Sequence, residues 1–509
     1  MEAREVTDTS RVRNKAFLSK IMSAEQAAEL VPNGAIVGFS GFVGSGCPLL
    51  VPPKLAERAK RLHAAGQDFK ISILSGASTD PNVDGVLAEA EAVAFRTPFF
   101  TDKNLRAAVN SGKTGYMDVH LSSLAGQVEA GFFGKMDCAI IEVTGITEEG
   151  KLIPSTSIGN NPLWLKLADK IILEVNTIQP PELEGIHDVA LLGIAPNRKP
   201  IGINRVSDRI GSPYMDVDPN KVVAVVLTES GDRVNKFNPP DPVSTAIGDH
   251  VVAFLKQEEA AGRLPKGRLL PLQSGIGNVA NAVLAGLARA GYRGLECYTE
   301  VIQDGLLYLI RDGVVDMAST ATISLSPDAV AEFRKDVAFY SKHIILRPQE
   351  FSNNPEVIRR IGVIGMNGML EADIYGNVNS THIMGTGMMN GIGGSGDFAR
   401  NGYISIFLTG STAKNGAISS IVPFAAHIDH TEHDTMVVVT EYGFADLRGK
   451  CPRDRARAMI AIAHPDYRPM LQDYFDRACA QPKPGQTPHI LSEALSWHDR
   501  YVKTGTMKP

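Results

Sequence analysis

The first half of the chain alternates continuous apolar runs with amphipathic stretches, and each run stops at a cluster of small residues. Ala35-Ile-Val-Gly-Phe39 gives way to Ser40-Gly-Phe-Val-Gly-Ser-Gly-Cys-Pro48, and a helix with charged faces is expected around Pro53 to Ala64. Phe69-Lys-Ile-Ser-Ile-Leu74 ends in Ser75-Gly-Ala-Ser-Thr79, while Cys138-Ala-Ile-Ile-Glu-Val143 and Lys170-Ile-Ile-Leu-Glu-Val175 read as further buried strands. β-Branched runs separated by helices predict a parallel, doubly wound sheet, because strands covered on both faces lose polar alternation.

Around Val222 to His250 the pattern loosens. Asn238-Pro-Pro-Asp-Pro242 is a turn between a strand, Val222 to Leu227, and a helix, Val243 to Lys256. A domain boundary is expected after residue 228. The second half then repeats strand, glycine turn, helix and strand. The expected fold class is α/β: two similar doubly wound domains, 1–228 and 229–509, with an active site at their interface. The length of 509 residues fits this, since it exceeds what one core usually serves. No short-period repeat points to a solenoid.

Charge and cysteines narrow the class. A net charge of -5 makes no case for nucleic acid or an acidic membrane as partner. The five cysteines are odd in number, widely spaced and without a C-x-x-C pair, which argues against a disulfide framework or a zinc site. The N-terminus lacks a signal-peptide apolar core, and no run of ~20 apolar residues exists. The expectation is a soluble cytoplasmic protein with no membrane contact.

The richest stretch is Gln273-Ser-Gly-Ile-Gly-Asn278 with Cys297-Tyr-Thr-Glu-Val-Ile-Gln-Asp-Gly305. Leu269 to Gln273 is a strand and Asn278 to Ala290 a helix, so Gly275-Ile-Gly277-Asn-Val-Ala280 fits G-x-G-x-x-G/A in the right context. Glycines let a backbone approach a ligand, and a helix N-terminus favours negative charge. A nucleotide-containing ligand and a tight structural turn both satisfy this pattern. Glu300, about 20 residues on, is then either a ribose ligand or a reactive group among the apolar neighbours Tyr298, Val301 and Ile302.

Gly391-Ile-Gly-Gly-Ser-Gly396 also spells G-x-G-x-x-G, but the strand Tyr403 to Leu408 follows too soon for a crossover helix. Its glycines expose backbone N–H groups, which suits an oxyanion nest. His427-Ile-Asp-His430-Thr-Glu-His433 lacks H-E-x-x-H and reads as a polar turn, so no metal is expected. Neither a G-x-S-x-G elbow nor a Walker lysine motif occurs.

In order and spacing, these segments resemble the class I coenzyme A-transferases. The branch is the acetyl-CoA hydrolase/transferase family, which includes succinyl-CoA:acetate CoA-transferase. The resemblance also runs through Glu184-Gly-Ile-His-Asp188, Ser352-Asn-Asn-Pro355, Val439-Thr-Glu-Tyr-Gly443, Ala445-Asp-Leu-Arg-Gly449 and His464-Pro-Asp-Tyr467. It implies that Glu300 is the nucleophile, with Asn353 (side-chain amide) and Gly394 (backbone N–H) as oxyanion donors. CoA contacts fall on Gly275, Ile276, Gly277, Asn278 and Val279, with Leu370, Asn390, Gly394 and Lys414. Ser78, Thr101, Arg233 and Glu441 match the carboxylate side. Thr228-Glu-Ser-Gly-Asp-Arg233 departs from the family pattern, so a surface salt bridge is an equal reading for Arg233; Glu441 equally suits an ion pair.

The implied activity is CoA transfer from an acyl-CoA such as succinyl-CoA to a small carboxylate such as acetate. It implies no permanently bound cofactor, coenzyme A being substrate and covalent intermediate, and a homodimer. An acetyl-CoA hydrolase using the same glutamate is the alternative within acyl chemistry. An NAD-dependent oxidoreductase is the alternative from another class, since it retains the glycine fingerprint.

Overall fold

The computed structural model describes residues 3–232 and 241–509. Its contacts divide the chain into two compact units: Met1–Lys236 with Cys297–Arg311 and Met317–Val357, and Phe237–Glu296 with Asp312–Asp316 and Ile358–Pro509. Sequence patterning expected a single break after residue 228 with Glu300 in the second half. By contacts, the segment Cys297–Arg311, which carries Glu300, is grouped with the first unit.

In the first unit the sheet order is Arg4–Glu5, Val222–Glu229, Lys170–Asn176, Cys138–Ile146, Ile36–Phe39, Ile71–Leu74, Val93–Thr97 and Gly115–Tyr116. The interior pairs are parallel, and only Arg4–Glu5 at one edge and Leu152–Pro154, beside Cys138–Ile146, run antiparallel. Cys138–Ile146 is buried along its whole length, as its unbroken apolar run requires. From Ile36–Phe39 the chain winds outward to one side, then returns at Cys138–Ile146 and winds to the other. The crevice at such a switch point lies beyond the strands' carboxyl ends, where the Ser40–Pro48 turn begins.

The inserted segments dock here through specific bonds. Val301–Ile302 pairs with Thr322–Ile323, and Val315–Thr320 with Ile344–Leu346, both in parallel. Ile323 N donates to Thr156 O at 2.9 Å, Thr322 Oγ1 to Phe42 O at 3.2 Å and Ser324 Oγ to Val43 O at 2.9 Å. The buried Arg347 guanidinium pairs with Asp188 and donates to Ser319 Oγ at 2.8 Å.

In the second unit Leu272–Ser274, Ile364–Gly368, Ile404–Leu408 and Val437–Thr440 lie side by side in parallel, with Gly443–Asp446 antiparallel at the edge. The helix Pro242–Ala260 opens with Pro242 in its first turn and an Asp241/Ser244 capping box, which satisfies amides that would otherwise lack partners. An aromatic-rich core around Tyr375, Tyr467, Phe475 and Trp497 closes the C-terminal part. Among the described residues no helix is long and apolar enough to cross a membrane.

Candidate active site

Glu300 lies where two short strands nearly meet: Leu295–Tyr298 ends before it and Val301–Ile302 begins after it. The break frees its backbone from either ladder, and other donors take its carbonyl. Thr320 Oγ1 donates to Glu300 O at 2.8 Å, Ala321 N at 3.0 Å and Thr322 N at 3.1 Å. The side chain is half-buried, and Asn353 Nδ2 donates to its Oε1. Asn353 is fully buried at the end of the one-turn helix Gln349–Ser352. That helix is pinned to the first unit by Gln349, whose N donates to Gly159 O and whose Nε2 donates to Leu121 O, both at 2.8 Å. The Asn353 amide and the Glu300 carboxylate thus stand in direct contact.

The residue after Glu300 enters a buried apolar cluster. Val301 packs with Phe42, Ala77, Leu121 and Ala321 in one buried cluster. Ala77 belongs to the Ser75–Thr79 turn, so the cluster brings the neighbouring Ser78 to this side of the unit. Ser78 is buried and its carbonyl accepts from Val43 N at 2.8 Å. The turn is held from behind by Arg96, fully buried, which donates to Ala77 O at 3.0 Å and pairs with Asp84 at 2.9 Å. Thr101 is exposed, its carbonyl accepting from Arg106 Nη2 at 3.1 Å. Arg233 lies outside the described residues. Its neighbour Asp232 accepts from Thr156 Oγ1 at 2.7 Å and Gly46 N at 3.0 Å. Burial pushes that carboxyl above its ordinary range despite these bonds.

The second unit carries the remaining candidates. The turn Gly275–Gly277 joins Leu272–Ser274 to the helix Asn278–Arg289, with Val279 in the helix's first turn, and Ile276 projects half-exposed. Gly277 occupies the N-cap at φ 111° and brings no side chain to cap the helix amides. Leu370, half-buried, donates its N to Asn379 O at 2.9 Å, and Asn390 Nδ2 donates to Gly391 O at 2.9 Å. Lys414 is exposed at the tip of the hairpin between Thr412–Ala413 and Ile418–Ser419. Glu441 accepts from Ser411 N at 2.8 Å and Ser411 Oγ at 2.5 Å, so its carboxylate anchors the base of that hairpin.

Gly394 is buried at the N-cap of a helix, Ser395–Asn401. This corrects the expectation that no helix fits before the next strand. Two turns suffice, because strand Ile404–Leu408 starts only after Gly402, whose N closes the helix on Phe398 O at 2.8 Å. The turn before Gly394 is tied down by Ser395 Oγ, which donates to Ile392 O at 2.8 Å and meets His430 Nε2 at 3.0 Å. The histidine-rich segment is non-helical, as expected, and the described residues contain no cluster suited to a metal. The contact of buried His430 with the Gly394 turn was not expected. The three-residue spacing of the histidines gives no sign of it.

The first unit thus carries a carboxylate in contact with a buried amide. The family description "acetyl-CoA hydrolase/transferase N-terminal domain" matches residues 6–227, and that of the C-terminal domain matches residues 332–475. The chain is 50% identical over 499 residues to the succinyl-CoA:acetate CoA-transferase of Clostridium kluyveri, covering 98% of this chain and 92% of that one. It is 43% identical over 517 residues to the acetyl-CoA hydrolase of Schizosaccharomyces pombe, covering 98% of each. Among solved structures, the 4-hydroxybutyrate CoA-transferase of Porphyromonas gingivalis shares the fold, with a TM-score of 0.61 at 22% identity, covering 90% of this chain and 98% of that one. The chain belongs to the acetyl-CoA hydrolase/transferase family.

Proposed function

We propose that the protein is a CoA-transferase that moves CoA from succinyl-CoA to acetate through Glu300. The observation that carries this reading is the Glu300 carboxylate, half-buried and paired with the amide of fully buried Asn353. One Glu300 oxygen attacks the thioester carbonyl, the C–S bond breaks, and CoA thiolate leaves an acyl-glutamyl anhydride. The thiolate then attacks the glutamyl carbonyl, releasing the donor acid as carboxylate and leaving a glutamyl-CoA thioester. The acceptor carboxylate reverses both steps. Each addition puts negative charge on a carbonyl oxygen, which the Asn353 amide and the Gly394 N–H would stabilise, each by about 3 kcal/mol. A serine would give an ester, which does not exchange acids in this way.

In this reading the uncapped amides of Asn278 and Val279, with Gly275, Ile276, Gly277, Leu370, Asn390 and Lys414, hold CoA. Ser78, Thr101, Arg233 and Glu441 face the acid. The hydrogen bonds of Glu441 to Ser411 support a structural duty as well. Five cysteines that form no disulfide suit a reducing cytoplasm, and the family resemblance favours a homodimer. The Clostridium relative supports succinyl-CoA and acetate as substrates. The name of the Schizosaccharomyces relative favours a second reading, hydrolysis, in which water takes the place of the acceptor acid.

Borohydride added during turnover should reduce a glutamyl-CoA thioester to an alcohol, located at Glu300 by peptide mass. Glu300→Ala should lose at least about a thousandfold in transfer rate with the fold retained. Transfer that persists in that variant, or label found only elsewhere, excludes the mechanism. Consumption of succinyl-CoA at full rate without acetate selects the hydrolase.

A further inference from the structure

We infer that Tyr298 and Thr320 are positioning residues that set the Glu300 carboxylate against Asn353, an inference that rests on the nucleophile reading of Glu300. Tyr298 is fully buried, and its hydroxyl donates to Phe351 O at 2.6 Å. Tyr298 stands two residues before Glu300, and Phe351 two residues before Asn353. Both pairs span 53 residues of sequence, so they form successive rungs between the same two segments. One rung is a hydroxyl fixed to a main-chain carbonyl. The other is the carboxylate–amide contact that the chemistry uses.

A single rung would leave the segments free to pivot. The second fixation is at Glu300 itself, whose carbonyl collects Thr320 Oγ1 and the Ala321 and Thr322 amides. Thr320 is fully buried, and the strand behind it is tied to its neighbour by Thr299 N donating to Ser319 O at 2.9 Å. Arg347 then holds Ser319 Oγ at 2.8 Å and donates its N to Thr320 O at 2.8 Å. The Tyr298 hydroxyl reaches the main-chain carbonyl of Phe351, and the Thr320 hydroxyl that of Glu300. Each acts on the backbone that carries a reacting group, so loss of either should alter attack geometry rather than substrate binding.

The test combines rapid mixing of acyl-CoA with enzyme, a borohydride quench at set times, and peptide mass analysis of Glu300. Tyr298→Phe removes one oxygen and should slow Glu300 labelling and kcat about tenfold, with KM for acyl-CoA held within about twofold. Thr320→Val should slow labelling similarly, and Thr320→Ser, which keeps the hydroxyl, should restore it. A wild-type labelling rate in Tyr298→Phe overturns the inference even if its melting temperature falls. If that variant is not recovered folded, equal labelling rates in Thr320→Val and Thr320→Ser overturn it instead. Should wild-type enzyme turn over with no label at Glu300, the nucleophile reading itself fails, a result separable from either variant.

Discussion

After the strand Ile36–Phe39 the chain turns through Gly41 and Gly46 into the helix Val51–Ala64; after Leu272–Ser274 it turns through Gly275 and Gly277 into the helix Asn278–Arg289. The sequence grammar is the same, yet the two helix starts are treated differently. At the first, the buried carboxylate of Glu174 accepts from Leu49 N at 2.9 Å, Leu50 N at 3.1 Å and Val51 N at 2.7 Å. The protein answers the positive end of that helix with its own acid. At the second, the N-cap is a glycine without a side chain. A strand–glycine–helix pattern thus identifies a helix start able to hold negative charge, not whether the charge comes from the protein or from a ligand.

The glycines themselves differ in the same sense, and the largest expected effect breaks the first turn. A Cβ built on Gly41, at φ 120°, would lie 2.3 Å from the buried Cys47 Sγ. Gly41→Ala should therefore cost about 3 kcal/mol or more, the sum of overpacking and an unfavourable φ. Denaturant unfolding measures it. The double variant with Cys47→Ala should regain the steric part and keep the backbone part. A single variant as stable as wild type would show the turn to be no tighter than the second one.

The next effect isolates the internal acid. Burial pushes the Glu174 carboxyl up to about 7 although three amides pull it down. Because that value exceeds the 4.5 of an ordinary glutamate, the folded chain keeps a proton between those two pH values that the unfolded chain has lost. Stability from this group is complete at low pH and falls as pH rises to about 7, then levels. Glu174→Gln should remove that slope, leaving a flatter unfolding midpoint between pH 5 and 8 than wild type. Identical pH dependence in both proteins would mean that Glu174 is ionised throughout.

Sequence reading succeeded where one physical rule decided the outcome. Continuous apolar runs marked Cys138–Ile146 and Lys170–Asn176 to within a few residues because burial on both faces leaves no alternative. The strand expected over Leu269 to Gln273 was read too early. Pro271 has no N–H to donate, and the ladder runs over Leu272–Ser274. The helix at Ser395–Asn401 was missed because seven residues leave little periodicity. In the site, Glu300 was legible as a carboxylate beside a strand end, while Asn353 was reached only by family resemblance, since a one-turn helix carries no pattern. Tyr298 and Thr320 were invisible as partners in the setting of the proposed nucleophile. Their bonds join segments 20 and 53 residues apart, and a lone tyrosine in an apolar strand looks like core.

The smallest expected effect tests whether the second turn is the one that meets the ligand. A Cβ on Gly277 would have nothing within 4 Å, so Gly277→Ala meets no steric obstacle from the protein. The φ of 111° alone penalises it, by about 1–2 kcal/mol, well below the cost at Gly41. The added methyl would stand at the start of a helix whose first amides are the proposed CoA contacts. Steady-state kinetics should then show KM for acyl-CoA raised by about threefold to tenfold with kcat within about twofold, the pattern of binding lost equally from ground and transition states. An unchanged KM would assign Gly277 to chain geometry alone, like Gly41, and would move the CoA contact away from this turn.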